Sequence, residues 1–342
     1  MTFHERVRAL EHFGFSERQT RFIVTVALHS GFCLRRHYAT LTGLTYGAGV
    51  RGFLDRLVAR GLARRHAFRR DRGHVYHLHH ASIYTSIGQD DNRNRRHTSA
   101  ALIARKLMLL DYVLDHPGME WIATEQDKVA LFTTQFGVPV SELPRRVYVG
   151  RRQRQGRSTT TRYFVHKLPI GLQPGTPIVT FVVLVTDTGG QLLSQFLQDH
   201  VRLLSILPRW RIVAVLPGHV PGSTACERVF HRARTTTIRW RSIPTDELHF
   251  AFKARDLVDQ GQLRQLTVPD IHRFREIRDR FDPSEFDRLV AKWRMAGRPA
   301  LEGRDEDSSD GIRVALAAGT GQVEIHRLPV RYDRFGTRAG VS

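Results

Sequence analysis

LRRHYATLTGLTYGAGVRGFLDRLVARGLARRHAFRRDRGHVYHLHH, residues 34–80, holds two helical periodicities followed by two extended runs. A short helix is predicted over Leu34 to Leu41, ending before Gly43. The next is predicted from Thr45 to Arg60, because Val50, Phe53, Leu54, Leu57 and Val58 recur at helical spacing. Gly61 stands where a left-handed C-terminal cap is favoured. Leu62 to Phe68 and His74 to His80 read as strands, joined by the polar turn Arg69 to Gly73. Ahead of this stretch, residues 16–30 read as a helix. Ser16 caps it, Gln19 completes a capping box, and Phe22, Ile23, Val26 and Ala27 share one face until Gly31 stops it.

Helix, short helix, helix and hairpin in that order predict a winged helix-turn-helix over residues 1–87. In such a unit the second helix of the pair enters the major groove, and its outward N-terminal residues reach base edges. The predicted outward residues include Tyr46, Gly47, Gly49, Arg51, Gly52 and Arg56. Arg51 is the candidate for guanine, and Tyr46 for a phosphate. Arg35 and Arg36, at the start of the preceding helix, are candidates for phosphates, and Arg69, Arg70 and Arg72 for the wing tip. The charge agrees. The chain carries a formal +20, and residues 1–100 hold 17 Arg, no Lys and 7 acidic residues, so half the excess lies in under a third of the length. A field of that sign recruits phosphate backbones, and double-stranded DNA is the expected partner.

The rest of the chain reads as a second unit. Residues 88–97 (GQDDNRNRRH) form a polar linker, followed by helices over about Thr98 to Asp115 and Thr124 to Phe136. Strands are predicted at Arg146 to Val149, Thr161 to Val165, Ile178 to Val185 and Arg211 to Leu216, with a helix at Gln191 to Leu207 between the last two. That order suggests a partly parallel sheet covered by helices. Three helices near 245–259, 269–281 and 284–296 complete an α/β domain with a helical extension over 98–297. Residues 298–342 are expected to be a flexible tail, with a short strand at Gln322 to Leu328. The fold class is therefore α+β, a winged helix-turn-helix followed by a mixed α/β sheet domain and C-terminal helices. Cys33 and Cys226 are far apart and fit a reducing cytoplasm. Met1 to Leu10 lacks a signal-like apolar stretch, and no run is long enough to span a membrane.

The sheet region departs from the PD-(D/E)xK nuclease pattern, whose carboxylates hold Mg²⁺. His166 stands where the first Asp belongs, and the strand ending at Asp187 has no acidic-x-Lys. A rearranged set of Glu125, Asp127 and Asp187 with Lys167 is the alternative enzymatic reading. His66, His74, His77, His79 and His80 crowd the hairpin without a Cys or carboxylate to complete a metal site. Tyr163, beside Arg162, is the candidate nucleophile of a relaxase reading. No phosphate-binding loop, GxSxG or HExxH occurs, so no catalytic residue, metal or cofactor is assigned. A non-enzymatic DNA-binding protein is the expectation, with a nuclease and a protein-interaction adaptor as alternatives.

Four stretches carry a resemblance: LRRHYATLTG with VRGFLDRLVARGLARR, then YFVHKLPIGL (163–172), FVVLVTD (181–187) and RIVAVLPG (211–218). Over roughly residues 15 to 217 the chain resembles the replication-relaxation proteins of bacterial plasmids and integrative elements. The resemblance implies a degenerate restriction-endonuclease-like sheet domain. It also implies a role in replication, relaxation or control of a mobile element, with a recombinase or replication protein as a further partner and a homodimer reading two half-sites.

Overall fold

The computed structural model describes residues 1–44, 47–67, 74–149, 159–218, 222–235, 238–239, 245–278, 283–297, 308–330 and 332. Within them the chain is a mixed α and β protein. The N-terminal elements are α1 (Phe3–Arg8), α2 (Glu17–His29), β1 (Phe32–Cys33), α3 (Arg35–Thr42), α4 (Ala48–Ala59), β2 (Ala63–Ala67), β3 (His74–Leu78) and α5 (Ala81–Ser86). The three strands form an antiparallel sheet in the order β1-β3-β2.

Local chemistry explains these boundaries. The predicted capping box is present at α2, where the Ser16 N–H donates to Gln19 Oε1 at 3.2 Å. α4 begins at Ala48, later than the predicted Thr45, with extended Gly47 as its N-cap and the Gly47 carbonyl accepting from Arg51 N–H at 3.3 Å. Thr45 itself lies outside the described residues. The helix ends as predicted: Gly61 is left-handed (φ +69°), and its N–H and that of Leu62 donate to Val58 and Leu57, each at 2.9 Å. Val50, Phe53, Leu54 and Leu57 are buried against α2 and the small sheet. Each such side chain contributes about 1.5–3 kcal/mol, enough to hold a glycine-rich helix in place.

β3 is buried on both faces. Tyr76 and Leu78 join the core formed with α4, while Val75 joins a second core with Leu107, Met108 and Tyr112. Those last three residues lie on α6 (Ala100–Asp115), which Ser99 caps through Leu102 N–H. The small sheet is thereby seated on α6, and α6 on the large sheet.

The large sheet comprises β4 (Glu120–Ile122), β7 (Ile170–Leu172), β8 (Val179–Leu184), β9 (Trp210–Leu216) and β12 (Gly321–Arg327), in the order β12-β9-β8-β7-β4. β8, β9 and β12 are mutually parallel, β7 is antiparallel to β8, and β4 is antiparallel to β7. Period-two alternation assigns its faces. Val179, Phe181 and Val183 pack toward α8 (Gln191–Ile206), whereas Val182 and Leu184 pack toward α6. Both faces are covered, which is why β8 reads as an apolar run broken only by the buried Thr180. Between β4 and β7 lie α7 (Glu125–Ala130), a π-helical turn at Leu131–Gln135, and the hairpin β5 (Arg145–Val149) with β6 (Thr159–Tyr163). β6 stops at Tyr163 rather than the predicted Val165 because Phe164 is left-handed, with φ 48°.

After β9 come α9 (Ser223–Thr235) and β10 (Ile238–Arg239). An antiparallel partner, β11 (Ser308–Ser309), closes a stalk. Between the stalk strands sit α10 (Thr245–Asp259), α11 (Val268–Arg278) and α12 (Pro283–Ala296), with their own core around Phe252, Phe274 and Phe286.

Two expectations are corrected. The region 298–342 is not a free tail over its described part: α13 (Gly311–Ala317) packs under the sheet and β12 pairs along the whole of β9. Parallel pairing at an edge depends on a distant strand, which no local pattern announces. The 88–97 linker is likewise docked. Arg93–Arg95 form a 3₁₀ turn, and Asn94 Nδ2 donates to the Ala27 and Leu28 carbonyls at 3.0 and 3.1 Å. No described helix is long and apolar enough to cross a membrane.

Candidate nucleic-acid interface

α4 exposes one face as completely as it buries the other. Ala48, Gly49, Arg51, Gly52, Asp55, Arg56 and Ala59 are solvent-exposed, while Val50, Phe53, Leu54 and Leu57 are buried. A Cβ built on Gly49 or Gly52 would meet nothing within 4 Å, so the backbone there faces open space. Arg51 and Arg56 lie five residues, about 1.4 turns, apart along the helix. The nearest acid on it, Asp55, is 3.9 Å from Arg65 of β2. At the helix C-terminus Arg60 is occupied: it donates to the Phe13 carbonyl at 2.6 Å and lies over the Phe15 ring at 4.8 Å.

The eight residues expected to touch DNA divide three ways. Arg51 and Arg56 are exposed, as that role requires. Tyr46, Arg69, Arg70 and Arg72 lie outside the described residues. Arg35 and Arg36 have partners inside the protein. Arg35 Nε donates to the Tyr76 hydroxyl at 3.0 Å. Arg36 Nε donates to Asp111 Oδ1 at 3.2 Å, and its terminal nitrogen donates to Oδ2 of the same carboxylate. The Arg36 charge is therefore neutralised by α6, and its assignment to a phosphate is corrected to a clamp between α3 and α6.

Asp111 gathers more than Arg36. His37 Nε2 lies 2.9 Å from Asp111 Oδ1, and the Tyr332 hydroxyl donates to Oδ2. His37 Nδ1 accepts the Leu34 N–H at 3.1 Å, so that nitrogen carries no proton. Burial accordingly holds His37 below its ordinary range, against the opposing pull of Asp111. Burial also works to raise Asp111, but His37, then Arg36 and Tyr332, outweigh it and bring the carboxyl down to about 2. The sequence carried one sign of this hub. Asp111 interrupts Leu107–Leu114, an otherwise apolar and fully buried run, and a buried carboxylate requires cationic or hydrogen-bonding partners.

The candidate nuclease groups are occupied separately. Glu125 Oε1 accepts the Tyr163 N–H at 2.8 Å, and Asp127 pairs with Arg6 at 2.9 Å. Asp187 accepts the Gln191 and Leu192 N–H groups at 2.6 and 3.4 Å, closing the start of α8. Among the described residues no three His, Cys, Asp or Glu side chains are placed to share a metal ion. His77 is stacked on Phe32 at 4.1 Å with Nε2 3.0 Å from the Asn94 carbonyl, and burial brings it down to about 4. Its neighbours His66 and His79 are lowered as well, chiefly by burial. These histidines serve as neutral packing groups of the hairpin.

No protein-family model matches this chain, and neither a curated protein nor a solved structure does.

Proposed function

We propose that this chain is a non-enzymatic protein that binds duplex DNA through a winged helix-turn-helix, with α4 in the major groove and the β2–β3 hairpin as its wing. The observation that carries the reading is the outward face of α4. Arg51 and Arg56 stand exposed on a surface whose other residues are Ala48, Gly49, Gly52, Ala59 and one acid, Asp55, which lies 3.9 Å from Arg65; a packed core backs it. Small residues let a helix backbone approach base edges closely, and an arginine can then bond guanine O6 and N7 together. The order β1-β3-β2, with α3 and α4 inserted between β1 and β2, supports the same reading.

Fluorescence anisotropy on oligonucleotides selected by the protein tests this. Arg51→Ala is expected to weaken the selected site by about 1–3 kcal/mol and relax preference at one base position. Log affinity should fall linearly with log salt. Equal binding by the wild type and an Arg51→Ala, Arg56→Ala double variant would defeat the proposal. The setting suggested by the resemblance, replication or control of a mobile element with a degenerate restriction-endonuclease-like domain, is part of the same proposal. Neighbouring integrase or relaxase genes would support it. A two-half-site homodimer would appear as a 2:1 complex in sedimentation with DNA.

A further inference from the structure

A second cationic surface lies at the seam between the N-terminal elements and the large sheet. Arg93 and Arg96 stand on the 3₁₀ turn and its C-cap, Arg162 on β6 and Lys167 on the segment joining β6 to β7; all four are solvent-exposed. Partial burial, first, and then the nearby charges of Arg93, Arg162 and Arg96 weaken the hold of Lys167 on its proton, against the opposing pull of Glu125. Among the described residues Arg93, Arg96 and Lys167 have no hydrogen bond or ion pair with an acid. The carboxylate within range, Glu125, is bonded to the Tyr163 N–H and stands 3.7 Å from Arg162.

Both halves of this surface are held from behind by lysines, one half-buried and one buried. Lys106 Nζ donates to Asn94 Oδ1 at 2.8 Å and fixes the turn. Lys128, 1% exposed, donates to the Leu168 carbonyl at 2.6 Å and fixes the loop. The loop is also bent against its preference. Phe164 and Lys167 are non-glycine residues at φ 48° and 53°. Such geometry persists only where surroundings enforce it, and it concentrates at functional sites. Here Phe164 is buried and stacked on Phe132 at 5.4 Å, and Lys167 N–H donates to the Phe164 carbonyl at 2.9 Å. Lys167, in that turn, feels the like charges of Arg93 and Arg96, and an anion spanning the three would relieve the repulsion.

We propose that Arg93, Arg96, Arg162 and Lys167 form a second phosphodiester-binding surface, which takes the backbone of duplex DNA by charge and without reading sequence. This surface does not require α4 to be the contact helix, so the two readings fail separately.

The test is the salt dependence of duplex binding by the full chain. In the Arg93→Ala, Arg96→Ala, Lys167→Ala triple variant, the slope of log affinity against log salt should shrink by about two to three, with base preference unchanged. The charge-conserving Arg93→Lys, Arg96→Lys variant should keep the wild-type slope. Lys167→Gly adds a readout that a structural role would not give. Glycine suits a left-handed position, so thermal stability should hold or rise while the slope shrinks by about one. An unchanged slope in the triple variant overturns the proposal, whatever α4 variants do. So does a fall in the lysine-for-arginine variant as large as in the alanine one, or a Lys167→Gly chain that binds as the wild type does.

Discussion

Asp111→Ala is expected to be the most damaging single change in this chain, costing about 3–5 kcal/mol of folding free energy. The carboxylate is the shared partner of Arg36, His37 and Tyr332, with Arg36 and Tyr332 hydrogen-bonded to it. Its side chain is 12% exposed and that of Arg36 27%, so water replaces the lost partner poorly. Removing one member of such a pair leaves a partly buried charge uncompensated, and that cost exceeds what the pair contributes net. Urea unfolding at neutral pH measures the effect. Tyr332→Phe, which removes one donor and leaves the rest, should cost about 1 kcal/mol. A loss below about 1 kcal/mol in Asp111→Ala would show that the hub does not hold α3 to α6.

The same carboxylate fixes a pH signature. Its folded value of about 2 lies below its ordinary 3.8. A depressed carboxyl stabilises the fold fully above its unfolded value and ceases to do so as pH falls through the folded one. The contribution is about 2 kcal/mol, present above roughly pH 4 and lost toward pH 2. The stability gap between the wild type and Asp111→Ala should therefore narrow by about that amount across this window. A gap that stays constant from pH 5 to pH 2 would contradict the assigned ion pairing.

Gly31→Ala is expected to cost about 2–4 kcal/mol, more than the same change at Gly61. Both glycines are left-handed, at φ +75° and +69°. A Cβ there costs roughly 1 kcal/mol from backbone preference alone. At Gly61 nothing else lies within 4 Å, so the cost ends there. At Gly31 the new carbon would sit 2.2 Å from the Asn94 carbonyl oxygen and 2.9 Å from its carbonyl carbon. Asn94 would have to move, and it bonds the Ala27 and Leu28 carbonyls, Lys106 and His77. The displaced contacts and the overpacking add about 1–3 kcal/mol. Paired denaturation curves for the two variants decide the matter. Equal losses would mean that the 93–95 turn is not docked against Gly31. Because the turn also presents Arg93 and Arg96, Gly31→Ala should lower the salt slope of DNA binding too.

What local pattern reveals in this chain is uneven, for physical reasons. Helix α2, the buried stripe of α4 and the end of α4 at Gly61 were legible, because each depends on side chains within a few residues of one another. The outward arginines Arg51 and Arg56 followed from the same periodicity. Arg36 did not. An exposed-looking arginine at a helix start has no local mark that distinguishes phosphate contact from an ion pair 75 residues away. β4, β7 and α13 went unread because their short segments carry little periodicity, whereas α9 went unread although Ala225, Cys226, Phe230 and Ala233 give it a buried face. Residues 88–97 read as a linker from their charge, yet Asn94 is held by groups at 27, 28, 77 and 106.

By itself the sequence determined the helices at Glu17–His29, Arg35–Thr42 and Ala48–Ala59, the strands at Ala63–Ala67 and His74–Leu78, the strong positive charge, and the mostly apolar run of β8. These rest on spacing and composition, which act over one or two turns of chain. Only the tertiary structure decided that Arg36 belongs to Asp111, that the C-terminal strand β12 closes an edge of the large sheet, and that Arg93, Arg96, Arg162 and Lys167 share a surface. Those outcomes depend on which distant groups meet when two cores form, and long-range partners are chosen by packing and charge together, not by neighbours in the chain.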